Sequence, residues 1–219
     1  MFFPPKSRFR IQSYFSAYIK LLFATIFNRL ESGNKNLELE KEMASFLNVE
    51  KVFTVNQARV GVYLAVKAVI QGEKNEIILS PYTIFDVVNM VLCAGGKPVF
   101  VDIDKNSCNI DPNLIEEGIT DRTAAVMATH LHGLSCDMRS ISKICKKNDL
   151  YLIEDSAQAF GVQYDNKMLG TIGDIGVYSF GLFKTVNSFF GGAVVSDNKE
   201  LMKKMKSDAS NFIPNSRSK

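Results

Sequence analysis

The sequence predicts an α/β domain built on a mostly parallel sheet with helices on both faces, and three observations carry that prediction. Short apolar runs alternate with amphipathic helical stretches over most of the chain. Several runs, such as Ile77–Ser80 and Ala124–Thr129, are almost continuously apolar, as expected of strands covered on both sides. The composition is globular: 46% of the 219 residues are hydrophobic and 22% charged, which excludes disordered, collagenous and coiled-coil classes.

The elements follow in order. Lys6, Arg8 and Arg10 precede the mostly apolar stretch Ile11–Phe27, where Tyr14, Ala17, Tyr18, Leu21, Leu22 and Ile26 recur at helical spacing. Lys20 interrupts this stretch and no small-residue cleavage site follows it. Residues 1–36 are therefore expected to form an amphipathic helical segment that packs on the body or on a partner subunit; a membrane-surface helix is the alternative. Leu39, Met43, Phe46 and Leu47 mark one side of the next helix. Val52–Val55 is a strand, and Ala58–Ile70 a helix with Val62, Ala65, Val66 and Val69 on one side.

Strand Ile77–Ser80 leads to helix Ile84–Cys93, which closes at Gly95-Gly96. Strand Val99–Asp102 leads to helix Pro112–Ile119, with proline near its start. Strand Ala124–Thr129, helix Met138–Lys147 and strand Leu150–Glu154 come next. Val177–Phe180 and Ala193–Ser196 complete a sheet of seven strands. The large domain is expected over 37–208, with a polar tail over 209–219.

Charge and cysteine usage narrow the function. Lys and Arg number 26 against 23 Asp and Glu, and a net +3 is too weak a field to predict a nucleic-acid partner. Cys93, Cys108, Cys136 and Cys145 show no CxxC or CxxH spacing and read as reduced thiols of a cytoplasmic protein. His130 and His132 share one stretch, so no metal site is expected. No run of about 18 apolar residues predicts a membrane span.

In doubly wound sheets, ligands sit beyond the carboxyl ends of the strands. That rule selects Asn56–Arg59, Pro81–Phe85, His130–Gly133, Asp155–Gln158 and Ser179–Lys184. Taken singly, Asp155 reads as a helix cap or ion pair and Lys184 as a solvated charge. Together they fit pyridoxal phosphate, which needs a lysine to hold it as an imine and a carboxylate to keep its pyridine nitrogen protonated. Its phosphate needs donors, best supplied at a helix N-terminus. The helix starting near Ala58 offers backbone N–H groups, Arg59 adds charge and Ser179 adds a hydroxyl.

Glu154-Asp155-Ser156-Ala157-Gln158-Ala159-Phe160-Gly161 resembles the EDxAQAxG signature of the DegT/DnrJ/EryC1/StrS family of sugar aminotransferases. Three more segments resemble that family in the same order. They are Pro81-Tyr82-Thr83 through Pro98–Asp104, Thr129–Gly133 with Asp137-Met138, and Gly170–Lys184 closed by Gly191–Val195. The resemblance runs from about Leu37 to about Leu201. It implies the large domain of pyridoxal-phosphate-dependent transferases of fold type I, and a reaction moving an amino group from an amino acid, glutamate, to the keto carbon of a nucleotide-linked sugar. It also implies a homodimer and products used in polysaccharide or secondary-metabolite synthesis.

Carried over position by position, the resemblance places Lys184 as the catalytic lysine that binds the cofactor and shuttles the proton. Asp155 falls at the pyridine-nitrogen position and Gln158 beside the ring's 3-hydroxyl. Ser179, Ala58 and Arg59 fall at the phosphate-binding positions. Sibling dehydratases carry histidine in place of that lysine, so Lys184 sides with the aminotransferases.

The pattern is also broken in places. Ala58-Arg59 stand where the family commonly has Gly-Thr, Ile84 where an aromatic ring stacks on the cofactor, and Ser188-Phe189-Phe190 where a glycine and an acid are usual. The two phenylalanines predict an unusual substrate or a surface covered by another chain. The family's smaller C-terminal domain has no counterpart in these 219 residues. The alternative expectation is thus a catalytically incomplete protein that keeps the fold and the cofactor.

Overall fold

The structure, a computed structural model, describes residues 15–27 and 34–212. Helices α1 (Phe15–Ile26) and α2 (Lys35–Leu47) lead into strand β1 (Val52–Val55) and helix α3 (Ala58–Val69). Then come β2 (Glu76–Leu79), α4 (Phe85–Cys93), β3 (Lys97–Phe100) and α5 (Pro112–Ile115). Strand β4 (Thr123–Thr129), helix α6 (Met138–Lys147) and strand β5 (Tyr151–Asp155) follow. A two-residue hairpin, β6 (Gln163–Tyr164) and β7 (Lys167–Met168), precedes β8 (Ile175–Ser179), β9 (Gly192–Val195) and α7 (Lys199–Ser210).

Seven strands form one sheet in the order β1-β9-β8-β5-β4-β2-β3. The ladders from β3 to β8 are parallel, whereas β9 runs antiparallel to both β1 and β8. Side chains alternate between the faces. Ile77, Leu79, Met127, Ile153, Val177 and Val194 pack with α3, α4 and α7, while Ile78, Val126, Ala128 and Leu152 pack with α5 and α6. This alternation puts Asp155 on the α3 face and Glu154 on the α6 face.

All seven expected sheet strands are present, with edges shifted where hydrogen bonding overrides side-chain character. Strand β2 starts at Glu76 because Lys97 (3.3 Å) and Arg122 (3.0 Å) neutralise that buried carboxylate. Asp155, expected just after a strand, is the last residue of β5 and pairs with Thr129. The helix expected through Ile119 is α-helical only to Ile115 and tightens into a 3₁₀ turn over Glu116–Gly118. That turn lays Gly118 on Val101, where a Cβ would come within 3.2 Å of its Cγ2.

Two elements give no clear signal in the sequence. The β6-β7 hairpin turns through Asp165 and Asn166, both at positive φ (47° and 61°), and this Asp-Asn pair is the signal that would have revealed it. Helix α7 runs through Ser210, capped by the Asn198 side chain, which accepts from the Glu200 and Leu201 amides. The expected tail therefore starts inside a helix, and residues 213–219 lie outside the described residues, as do 1–14 and 28–33. Helix α1 buries none of its residues, so it does not pack on the body as a core helix; Tyr18 meets Phe189 there, 6.3 Å between ring centroids.

Candidate cofactor site

The carboxyl ends of β1, β5 and β8 and the start of β9 converge at one edge of the sheet. Val55 and Ser179 both pair with Gly192, and Asp155 pairs with Val177. A cavity of about 190 Å³ opens there, walled by the first turns of α3 and α4 and the segment after β8. Ala58, Arg59, Asp155, Ser179 and Lys184 all line it, together with Ile84, Asp86 and Phe190.

One wall of the cavity follows from the turn between β1 and α3. Gln57 is extended and caps the helix with no side-chain hydrogen bond. The first-turn amides at Ala58 and Arg59 precede the intrahelical ladder and sit at the positive end of the helix dipole. Gly192 permits the approach: a Cβ there would lie 2.8 Å from both Ala58 N and Ala58 Cα, and 2.7 Å from Tyr178 O. Ser179 ends β8 beside this turn, its Oγ accepting from Gly181 N at 3.4 Å.

Asp155 is buried at the base of the cavity. Its Oδ1 accepts the Ala157 amide at 3.1 Å. Burial raises its carboxyl pKa above the ordinary range, while the Ala157 N–H, the Lys184 ammonium and His130 pull it back down. Lys184 belongs to a turn closed by its amide on Gly181 O at 3.0 Å. The structure thus brings the Asp155 carboxyl and the lysine to one cavity.

Gln158 stands apart from the other expected site residues. Its Oε1 accepts the His132 amide at 3.1 Å, and the residue is not part of the cavity wall. Sequence reasoning passed over Glu154 as more than a motif letter. Its carboxylate is fully buried and accepts four hydrogen bonds: His130 Nε2 (3.0 Å), and the amides of Gly170 (2.8 Å), Ile172 (2.6 Å) and Gly173 (2.6 Å). His130 Nδ1 accepts the Cys136 amide at 3.2 Å, which assigns the proton to Nε2. An acid amid four donors at the strand end gave no periodic signal to read.

The donor set suits pyridoxal phosphate. A buried carboxylate matches a pyridinium, a lysine matches its aldehyde carbon, and a helix N-terminus with an arginine and a hydroxyl matches its phosphate. Ile84 is 63% exposed on the wall and offers apolar contact in place of an aromatic face. Among the described residues, no cluster of His, Cys, Asp or Glu is placed to hold a metal ion, and no helix is long and apolar enough to cross a membrane.

Fold and cavity together define the large domain of pyridoxal-phosphate-dependent transferases of fold type I. The chain belongs to the DegT/DnrJ/EryC1/StrS aminotransferase family, which it matches over residues 21–212. It is 40% identical over 174 residues to the dTDP-4-amino-4,6-dideoxy-D-glucose transaminase of Shigella dysenteriae, covering 80% of this chain and 47% of that protein. It superimposes on Helicobacter pylori PseC, an aminotransferase involved in the biosynthesis of pseudoaminic acid, with a TM-score of 0.78 and 32% identity over 86% of this chain and 51% of that one. NtdA from Bacillus subtilis with bound cofactor PMP gives 0.82 and 28% over 95% and 48%. The chain spans about half the length of the curated relatives it matches.

Proposed function

We propose that this chain is the cofactor-binding part of an aminotransferase that moves an amino group from an amino acid, glutamate, to the keto carbon of a nucleotide-linked sugar. The observation that carries the reading is the convergence of Lys184, the buried Asp155 and the first turn of α3 on one cavity. Pyridoxal phosphate supplies the electron sink for such a reaction. Asp155 holds a proton on the ring nitrogen by charge pairing. Lys184 is the residue that would hold the cofactor, and its amine would serve as the base that moves the proton at the donor's Cα. The Ala58 and Arg59 amides, the Arg59 guanidinium and the Ser179 hydroxyl take the phosphate. Gln158, which accepts the His132 amide outside the cavity wall, would have to turn inward to meet the ring hydroxyl.

Sugar-transaminase relatives of 34–40% identity support the substrate class. The same reading takes the working protein as a homodimer, since α1 and the rim carry exposed apolar side chains, among them Leu22, Ile26, Phe183 and Phe190. It also takes the protein as cytoplasmic, since its four cysteines show no disulfide or metal spacing.

The experiment is a titration of the purified chain with pyridoxal phosphate, followed by addition of glutamate and a nucleotide-linked keto sugar. The expected result is visible absorption that borohydride abolishes and Lys184→Ala lacks, then conversion of glutamate to its keto acid. Absence of colour overturns the cofactor reading. Colour without amino transfer overturns the activity and leaves a cofactor-holding, catalytically incomplete protein.

A further inference from the structure

Arg59 Nη1 lies 3.1 Å from Asp86 Oδ2 across the mouth of the cavity. Arg59 comes from the first turn of α3 and Asp86 from the first turn of α4, and both line the wall. Their side chains are 49% and 38% exposed, so as a surface ion pair they add little to stability. What the pair decides is the position of the guanidinium.

Among the described residues, the cavity wall carries four charged side chains, Arg59, Asp86, Asp155 and Lys184. In the proposed site Lys184 is committed to attachment and Asp155 to the ring nitrogen. Arg59 is then the side-chain cation of the wall that serves the phosphate. An arginine presents five N–H donors in a planar fork, and engaging Asp86 through Nη1 leaves the remaining donors for a second anion. Without that tie, a long side chain at an exposed helix start samples many rotamers, and ordering it would cost binding free energy.

We propose that Asp86 is a positioning residue for the phosphate subsite: it holds the Arg59 fork across the cavity mouth so that α3 and α4 together clamp the phosphate of pyridoxal phosphate. The proposal rests on the reading that this cavity takes that cofactor. Asp86 also carries a negative charge near a dianion, so the sign of its effect is informative. A residue that only competed for Arg59 would weaken binding, and its removal would tighten it.

The test compares pyridoxal phosphate with pyridoxal, which lacks the phosphate, by absorbance titration of the full chain and by mass of the borohydride-trapped adduct. Variants are Asp86→Ala, Asp86→Asn, Arg59→Ala and the double Arg59→Ala/Asp86→Ala, with folding checked by circular dichroism. Asp86→Ala is expected to raise the Kd for pyridoxal phosphate about tenfold and leave pyridoxal unchanged. Asp86→Asn, which keeps an acceptor for Nη1, should recover most of the loss. Asp86→Ala should add nothing in the Arg59→Ala background, because its effect passes through Arg59. Unchanged or tighter binding of pyridoxal phosphate to Asp86→Ala, or equal weakening of pyridoxal, overturns the positioning role while the cofactor reading stands. A wild-type chain that forms no adduct with either compound overturns both.

Discussion

His130 Nε2 meets Glu154 Oε2 at 3.0 Å with both side chains fully buried, one residue away from the carboxylate at the base of the cavity. Glu154 also gathers the amides of Gly170, Ile172 and Gly173, so a single acid ties β5 to the loop before β8 and, through His130, to the end of β4. Glu154→Ala leaves two buried donors, His130 Nε2 and the Gly170 amide, and two partly buried amides without their acceptor. It is expected to destabilise the fold by about 3–5 kcal/mol, read as a lower midpoint in urea denaturation. A midpoint within error of wild type would show that this network is dispensable.

Asp155 carries the opposite balance. Its carboxyl pKa is raised by burial, so the folded state binds its proton more tightly than the unfolded chain does. The sign follows by linkage: stability of the cofactor-free protein falls as pH rises from the ordinary aspartate range through the raised folded value. Asp155→Asn removes this term. It should raise the Tm of the cofactor-free chain at neutral pH, by roughly 2–4 °C for each kcal/mol recovered, and flatten its pH dependence above the ordinary aspartate value. The same variant should still form the borohydride-sensitive absorption, but with a higher Kd for pyridoxal phosphate, because the ring nitrogen loses its charged partner. A lower Tm at pH 7 would refute the burial argument.

Gly192 sets how closely β9 approaches the start of α3. A Cβ there meets the Ala58 backbone at 2.8 Å and Tyr178 O at 2.7 Å, contacts that no flexible side chain can relieve. Gly192→Ala should push the α3 N-terminus away from the sheet edge. The expectation is at least a tenfold rise in the Kd for pyridoxal phosphate, measured by absorbance, in a chain whose far-UV circular dichroism is retained. Wild-type affinity would show that the α3 amides do not hold the phosphate.

Phe189 sits at φ 67° and Phe180 is buried at 3% exposure, so two nearby phenylalanines should respond differently to truncation. Left-handed backbone costs a non-glycine residue about 1–2 kcal/mol, which Phe189→Gly relieves while giving up the ring contact with Tyr18. That variant is expected to unfold within about 1 kcal/mol of wild type, glycine's unfolded-state entropy offsetting part of the gain. Phe180→Ala should cost about 3–5 kcal/mol. Equal losses in thermal or urea melts would contradict the assignment of strain to Phe189.

Much of this was readable from order and spacing. Apolar runs such as Ile77–Leu79 and Ala124–Thr129 announce covered strands because both faces of a parallel sheet exclude water. The strand-end rule points to Asp155, Ser179 and Lys184, and all three line the cavity. Helix α7 was missed because its first turns are mostly charged, and only Leu201, Met202 and Met205 mark its buried side.

The sequence by itself determined the fold class, the order of the seven sheet strands along the chain, and which residue types stand at the strand ends, because periodicity and strand-end position are local properties. Tertiary structure alone decided that β9 runs antiparallel between β1 and β8, which brings Gly192 against Ala58. It also decided that Gln158 engages His132 outside the cavity wall, that Glu154 gathers four donors, and that Arg59 pairs with Asp86. Each of these joins residues far apart in the chain or differently oriented in space. Their free energies depend on burial and on distances of about 3 Å, which no spacing along the chain encodes.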